Sequence, residues 1–285
     1  MKSVFALALA ASVAFACSST SSSDGQGTVA FTTYGEDYIE SEISAANVED
    51  GWVIKYERFL ITFHDIKVRE GNGVPAAAMP GSKLFNNKIP GDKSIISFPA
   101  VPAKAYDRVS YRVAPAGAAT ELGQGVTDAD KQLMVSNGYA IYLEATATKA
   151  AVTKKYKWGF KLSTLYDRCK GELSGKETDG AVVTNGGNDT IQLTTHGDHF
   201  YYDDLQSKEA KVRFDNIAAA DVNMDGEITL EELATVKLAA IPKANGSYGT
   251  GSATGINDLR QFVEANSRTV GHFRGEGECF VSAQQ

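Results

Sequence analysis

Short segments with strand-like patterns fill most of the chain between Thr28 and Thr195, and they restrict the folds available to it. Each is rich in β-branched and aromatic residues, as in SIISFPAVPA, YDRVSYRVAPA and GYAIYLEATAT, and each is bounded by Gly, Pro, Asn or Asp. Many short strands separated by turn residues are typical of a domain built from two packed sheets. The sequence therefore predicts a mainly β fold, an antiparallel β-sandwich over residues 28–204.

Two local features refine this prediction. The segment WVIKYERFLITFHDIKVRE exceeds the length of an ordinary strand, so a bend or bulge is expected near Glu57–Arg58. The stretch TDADKQLMVSNG offers Thr127 as a helix N-cap, acidic residues in the first turn and Gly138 after the last turn. One helix is therefore expected to interrupt the strands.

The first 17 residues, MKSVFALALAASVAFAC, place one lysine before an apolar run that is too short to span a membrane. This pattern is typical of a secretory signal peptide. The ending AFAC resembles the lipobox of bacterial lipoproteins, which predicts a lipid anchor on Cys17, with plain signal cleavage as the alternative. Residues 18–27 then form a Ser/Gly-rich tether. In such lipoproteins an Asp directly after the acylated Cys favours retention at the inner membrane, so the resemblance, with Ser18 at that position, implies the outer membrane or cell surface.

The cysteine count agrees with export. Of the three cysteines, assigning Cys17 to the lipid leaves Cys169 and Cys279. In an oxidising compartment these two are expected to form a disulfide, with two buried free thiols as the alternative. A formal charge of -7 without any block of basic residues excludes nucleic acid as an expected partner.

Residues 205–285 are predicted to be helical, with helices on both sides of the stretch DVNMDGEITLEE at 221–232. This stretch matches the twelve-residue calcium loop of an EF-hand, in which oxygen ligands occupy positions 1, 3, 5, 7, 9 and 12. The predicted ligands are Asp221, Asn223, Asp225, Glu227, Thr229 and Glu232. Gly226 permits the sharp turn at the sixth position.

The sequence thus predicts one bound calcium ion, with an unliganded acidic turn as the alternative. Calcium sensors usually pair two such loops and expose a Met-lined groove, whereas this chain contains one recognisable loop. The ion is therefore expected to stabilise the fold by binding its native state.

The segment THGDHFYYDD holds two of the four histidines, His196 and His199, among several carboxylates. Imidazoles with a carboxylate or an open position suit zinc or copper. The two can share an ion only if the chain turns at Gly197–Asp198, and His64 or His272 could complete the site. Structural or surface histidines are the alternative.

Catalysis has less support, because the sequence lacks a Gly-x-Ser-x-Gly elbow, a His-Glu-x-x-His motif and a phosphate-binding glycine loop. Acidic pairs such as Glu40/Glu42 and Asp203/Asp204 leave an envelope hydrolase as a further alternative. The expected role is non-catalytic.

Several segments together resemble a group of uncharacterised bacterial lipoproteins that contain an EF-hand: YGEDYIE, WVIKYERFLITFHDIKV, THGDHFYYDDL, the acidic loop and GHFRGEGEC. More distantly, ERFLITFHDIKV and AYDRVSYRVAP are similar to periplasmic β-sandwich proteins that partner methanobactin uptake. The first resemblance implies no activity, and the second implies an Ig-like sandwich with copper as a ligand. The expected protein is a calcium-binding envelope lipoprotein that binds an envelope protein or a small ligand, with copper or zinc binding at His196 and His199 as the alternative.

Overall fold

The computed structural model describes residues 25–242 and 245–283. The signal peptide, Cys17 and tether residues 18–24 lie outside the described residues. No helix in the described part of the chain is long and apolar enough to cross a membrane.

The described residues form strands β1 Gln26–Gly35, β2 Val53–Arg69, β3 Ala77–Ala78, β4 Ser82–Asn86, β5 Lys93–Pro102, β6 Ala105–Tyr106, β7 Arg108–Val113, β8 Glu121–Leu122, β9 Ile141–Lys149, β10 Val152–Phe160, β11 Thr164–Asp167, β12 Lys170–Leu173, β13 Lys176–Asp179, β14 Ala181–Val182, β15 Asn188–Thr195, β16 Gly271–Phe273 and β17 Phe280–Ala283. The helices are α1 Asp37–Glu40, α2 Asp128–Asn137, α3 Asp215–Ala218, α4 Leu230–Leu233 and α5 Leu259–Asn266. Single 3-10 turns lie at Ala45–Asn47, Asp198–Tyr201 and Leu238–Ala240.

Two sheets organise the fold, which confirms the mainly β prediction. The first sheet has the order β16-β15-β1-β5, and the second runs β10-β9-β2-β7-β11-β17 with β3, β4 and β8 attached beside β2. The sheets are mixed, however, because β1 pairs with β15 in parallel and β4 pairs with β8 in parallel. The predicted antiparallel arrangement is wrong for these two pairs, because a parallel pair needs only a long connection and β1 and β15 are far apart in sequence.

Both local predictions are confirmed. The register between β2 and β9 shifts between Tyr56 and Arg58, where the bulge was expected. Helix α2 begins after Thr127, whose side chain accepts from the Asp130 N–H in a capping box, and it ends at Gly138 with φ of 68°.

One buried apolar cluster holds residues from both sheets. Side chains alternate between buried and partly exposed along β1, so Val29 and Phe31 point inward. They join Phe59 and Phe63 of β2 and Tyr111 of β7 in the same cluster. Burial of such side chains contributes about 1.5–3 kcal/mol each, which makes this shared core the main source of stability.

The C-terminal region differs from the predicted pair of long helices around the acidic loop, because α3 and α4 each contain four residues. The chain before α3 is held extended by bonds from the Asp203 N–H to the Lys211 carbonyl and from the Arg213 N–H to the Tyr201 carbonyl. These bonds use the backbone groups that a longer helix would need. Helix α5 is capped by Asp258, whose side chain accepts from the Gln261 N–H.

Residues after 204 also contribute strands. β16 pairs with β15 in the first sheet, and β17 pairs with β11 in the second. Cys169 and Cys279, the pair expected from the sequence, form a disulfide across a sequence separation of 110 residues. This bridge ties the terminal segment to the body of the protein.

Replacing both Cys169 and Cys279 with serine should lower the free energy of unfolding by about 4 kcal/mol, because the bridge restricts a long loop in the unfolded chain. Urea denaturation followed by tryptophan fluorescence measures the change. A reductant should shift the wild-type midpoint towards that of the double variant and leave the variant itself unchanged. Equal midpoints for the two proteins would contradict a stabilising role.

Candidate metal centre

The turn after β15 places two histidines side by side. His196 follows the last residue of β15, and His199 lies in the 3-10 turn Asp198–Tyr201. Between them, Gly197 packs so closely that a Cβ atom there would lie 2.6 Å from Ile39 Cγ1 and 2.8 Å from a ring carbon of Tyr56. The Tyr56 hydroxyl donates to the Gly197 carbonyl at 2.5 Å. The turn that the sequence required for a shared site is therefore present and fixed by packing.

Strand β16 brings a third histidine to the same place. Thr194 of β15 is the register partner of His272, and the His196 N–H donates to the Val270 carbonyl at 2.8 Å. The rings of His196 and His272 stack with centroids 3.9 Å apart, and the ring of His199 lies 5.6 Å and 5.0 Å from them. Potential ligand nitrogens of the three side chains all lie within 4.8 Å of one another.

Burial favours the neutral form of these imidazoles. It lowers the pKa of His196, and it lowers the pKa of His272, which the neighbouring His196 depresses further. The pKa of His199 is held well below its ordinary value by burial and then by the other two rings. Neutral imidazole is the form that coordinates metals, so the direction of these shifts favours metal binding.

Hydrogen bonding fixes the tautomer of His199. Its Nδ1 lies 2.8 Å from the Thr269 hydroxyl oxygen. That hydroxyl donates its own proton to the Asn266 carbonyl at 2.9 Å, so it can only accept from the ring. Nδ1 therefore carries the proton, and Nε2 of His199 keeps a lone pair for a ligand.

His272 supplies an unused lone pair in the same cluster. Its side chain is 6% exposed, and its Nδ1 is buried without a hydrogen-bond partner among the described residues. Its ring also makes a hydrogen bond to the backbone of Glu276. An orphaned buried nitrogen beside two neutral imidazoles fits a bound zinc or copper ion.

His64 does not join this group. It lies on β2, where its Nε2 is 3.2 Å from the Ala114 carbonyl, and burial lowers its pKa. A hydrogen-bonded structural histidine accounts for it. Of the two extra histidines that the sequence proposed, the structure selects His272.

Two carboxylates beside the histidines, those of Glu36 and Glu276, were not predicted as site residues. Glu36 lies 3.4 Å and Glu276 lies 4.0 Å from Nδ1 of His196. Burial raises the pKa of Glu36 to about 8, with further contributions from the charges of Asp198 and Glu276. Glu36 directly follows β1, so only knowledge of the parallel β1–β15 pair could have brought it to His196.

The cluster lies in an open cavity of about 1110 Å³. Tyr34, Tyr38 and Tyr202 contribute to its wall. The Tyr202 hydroxyl donates to Asp198 at 2.7 Å, and its ring lies 4.7 Å from that of His199. Burial raises the pKa of all three tyrosines, and nearby carboxylates raise them further. An ion at the histidines would therefore be reachable from solvent through a polar, acidic cavity.

The acidic loop 221–232 draws three of its predicted ligands together. The Asp221 carboxylate accepts from the Gly226 and Asp225 N–H groups at 3.0 Å and 3.2 Å and pairs with the Lys154 ammonium. The Asn223 amide donates to the Asp225 carboxylate at 3.0 Å. Because of the Lys154 pair, the charge of the first predicted ligand is already compensated.

The far end of the loop is arranged differently. Glu232 accepts from the Thr229 N–H at 2.9 Å and forms the capping box of α4. The Ile228 N–H donates to the Lys155 carbonyl, and the Lys155 N–H donates to the Gly226 carbonyl, both at 2.8 Å. The loop thus pairs with edge strand β10 instead of with a second loop.

The chain matches no protein-family profile and no curated protein sequence. A solved structure, MbnP from Methylosinus trichosporium, is similar at 11% sequence identity over 90% of this chain and 98% of that chain, with a TM-score of 0.34. A TM-score at this level does not establish a common fold, and nothing about the function of this chain follows from it.

The tautomer of His199 can be tested in the metal-free protein. Thr269→Val removes the acceptor for Nδ1–H, so the ring is expected to populate both neutral tautomers, whereas Thr269→Ser should retain the wild-type form. Imidazole ¹⁵N chemical shifts report the tautomer directly. A single Nδ1–H tautomer in all three proteins would show that Thr269 does not select it.

Proposed function

We propose that this protein binds a transition-metal ion, zinc or copper, through His196, His199 and His272. The convergence of three neutral imidazoles, one with an orphaned nitrogen, supports this function best. Imidazole ligands suit both metals, and the open cavity leaves a coordination position for water or a further ligand. Metal capture or delivery is the role that follows.

The proposed role is non-catalytic and belongs to the cell envelope. The disulfide between Cys169 and Cys279 is consistent with an oxidising compartment. The signal-like N-terminus and Cys17 support export and a lipid anchor on sequence grounds. An Ig-like sandwich remains the proposed description of the two sheets that share one core.

A structural calcium ion in the acidic loop is the second candidate. Its support is the isolated β-bridge between Glu227 and Lys155, made with the bond from the Ile228 N–H to the Lys155 carbonyl, which docks the loop on the edge of the second sheet. The Trp158 indole N–H also donates to the Ile228 carbonyl at 2.9 Å. A calcium ion there would hold the loop against β10, and to bind Asp221 it would compete with Lys154.

Alanine substitution of His199 or His272 should weaken zinc binding by about 100-fold or more, since losing even an outer-shell partner of a metal ligand typically costs 10- to 100-fold. Competition with a chromogenic zinc chelator measures the affinity. His64→Ala is the matched control, because it removes an imidazole outside the cluster and should leave zinc affinity unchanged. Equal affinities in all of these proteins would place the metal elsewhere.

Calcium at millimolar concentration should raise the melting temperature of the protein by about 5 °C if the ion binds only the native state. The reference is the same protein in EGTA-treated buffer without added calcium. Glu232→Gln should abolish the rise, since it removes the predicted bidentate ligand. Glu231→Gln, the adjacent acid that is not a predicted ligand, should retain it. Identical melting curves with and without calcium would exclude a stabilising calcium ion in the acidic loop.

A further inference from the structure

A second group of potential ligands lies next to the three histidines and shares one of them. It consists of Glu36, His196 and Glu276, whose ligand atoms all lie within 4.8 Å of one another. Nδ1 of His196 faces the two carboxylates, at 3.4 Å and 4.0 Å. The His196 ring also makes a hydrogen bond to the backbone of Gly275. To serve both groups, His196 would use Nδ1 for the carboxylate group and Nε2 for the group formed with His199 and His272.

The carboxylates in this corner of the cavity lack basic partners. Within residues 25–242 and 245–283, no lysine or arginine forms an ion pair with Glu36, Asp198 or Glu276, and His196 is the partner of the two glutamates. Lys208 is the lysine of the cavity wall, against six carboxylates that also line it. Carboxyl groups are thus concentrated where the described residues supply no lysine or arginine partner.

Two buried oxygens point to a missing ligand. Oε1 of Glu36 and Oδ1 of Asp198 are buried and form no hydrogen bond of good geometry among the described residues, and Asp198 is 7% exposed. Oε1 of Glu36 lies 3.4 Å from Nδ1 of His196, and the carboxyl groups of Glu36 and Asp198 lie next to each other. A buried carboxylate oxygen without a partner is costly, so a cation that contacts these groups would recover free energy. Glu276, with a side chain 86% exposed, leaves the corner open to solvent for entry of the ion.

We infer that a second divalent cation binds at Glu36, Glu276 and Nδ1 of His196, so that His196 bridges two ions as an imidazolate. The inference rests on the proposed binding of the first ion at His196, His199 and His272. Two carboxylate oxygens with one imidazole suit a borderline divalent cation such as zinc. When the second ion binds, the Nδ1 proton of His196 leaves to solvent, and Nδ1 forms the new coordination bond.

A different role for the carboxylates is that of orienting groups. Ligating histidines commonly donate their other N–H to a carboxylate, which fixes the ring without a second ion. In that case Glu36 would accept from Nδ1–H of His196, and only one zinc would bind. The two roles predict different stoichiometries.

The number of zinc ions bound per chain at saturation separates the two roles of the carboxylates. It is measured by elemental analysis of the purified chain after equilibrium dialysis, with excess calcium present to occupy the acidic loop. Two zinc ions per chain are expected for the wild type and one for Glu36→Gln/Glu276→Gln. Glu278→Gln is the matched control on the same cavity wall and should retain two. Thermal melting of each variant, compared with that of the wild type, verifies that the folds are intact.

The possible failures are distinct. One zinc per chain in the wild type, with unchanged stoichiometry and weaker affinity in the double variant, would overturn the second site and leave the three-histidine site standing. Two zinc ions retained in the double variant would also overturn the inference. Absence of zinc from the wild type would overturn the proposed function itself, and the inference with it.

Discussion

The parallel pairing of β1 with β15 is the constraint on which the site depends. Parallel strands end at the same edge of a sheet, and Gly35 is the register partner of Thr195. The next residues along each strand, Glu36 and His196, therefore meet, and the Glu36 N–H donates to the Thr195 carbonyl at 3.3 Å. Antiparallel pairing of β1 with β15 would have sent these two side chains to opposite ends of the sheet.

β16 completes the same edge from the other end of the chain. Its pairing beside β15 supplies His272, and the turn that follows carries Glu276. The Arg274 guanidinium binds both carboxylate oxygens of Asp189 at 2.8 Å and 2.7 Å, and both side chains are 6% exposed. The turn is held by this buried ion pair before it and by the disulfide at Cys279 after it. Its Glu276 is therefore positioned by electrostatic and covalent contacts as well as by strand pairing.

Local signals in the sequence predicted local structure, and the cysteine count predicted the disulfide, but the long-range pairing of strands was not predicted. The cap at Thr127 and the bulge near Glu57 depend on neighbouring residues, and both are present. The histidine pair His196 and His199 was found because the two residues are close in sequence. Glu36 is brought to them only by strand order, which the periodicity of the sequence does not encode. The long helices predicted around the acidic loop do not form, because tertiary hydrogen bonds to that segment outweigh its helical spacing of apolar residues.

Polar groups in the core link the histidine turn to the acidic loop. The hydroxyls of Tyr156 and Tyr201 lie 2.6 Å apart, and Tyr201 also hydrogen-bonds Tyr56, which donates to the Gly197 carbonyl. Trp158 packs on Tyr156 with centroids 4.4 Å apart and donates to the loop through Ile228. A buried hydroxyl or indole N–H needs a partner, so these side chains are fully satisfied only when both the turn and the loop are in place. These aromatic side chains thus hold the backbone at both candidate ion sites in place before either ion binds.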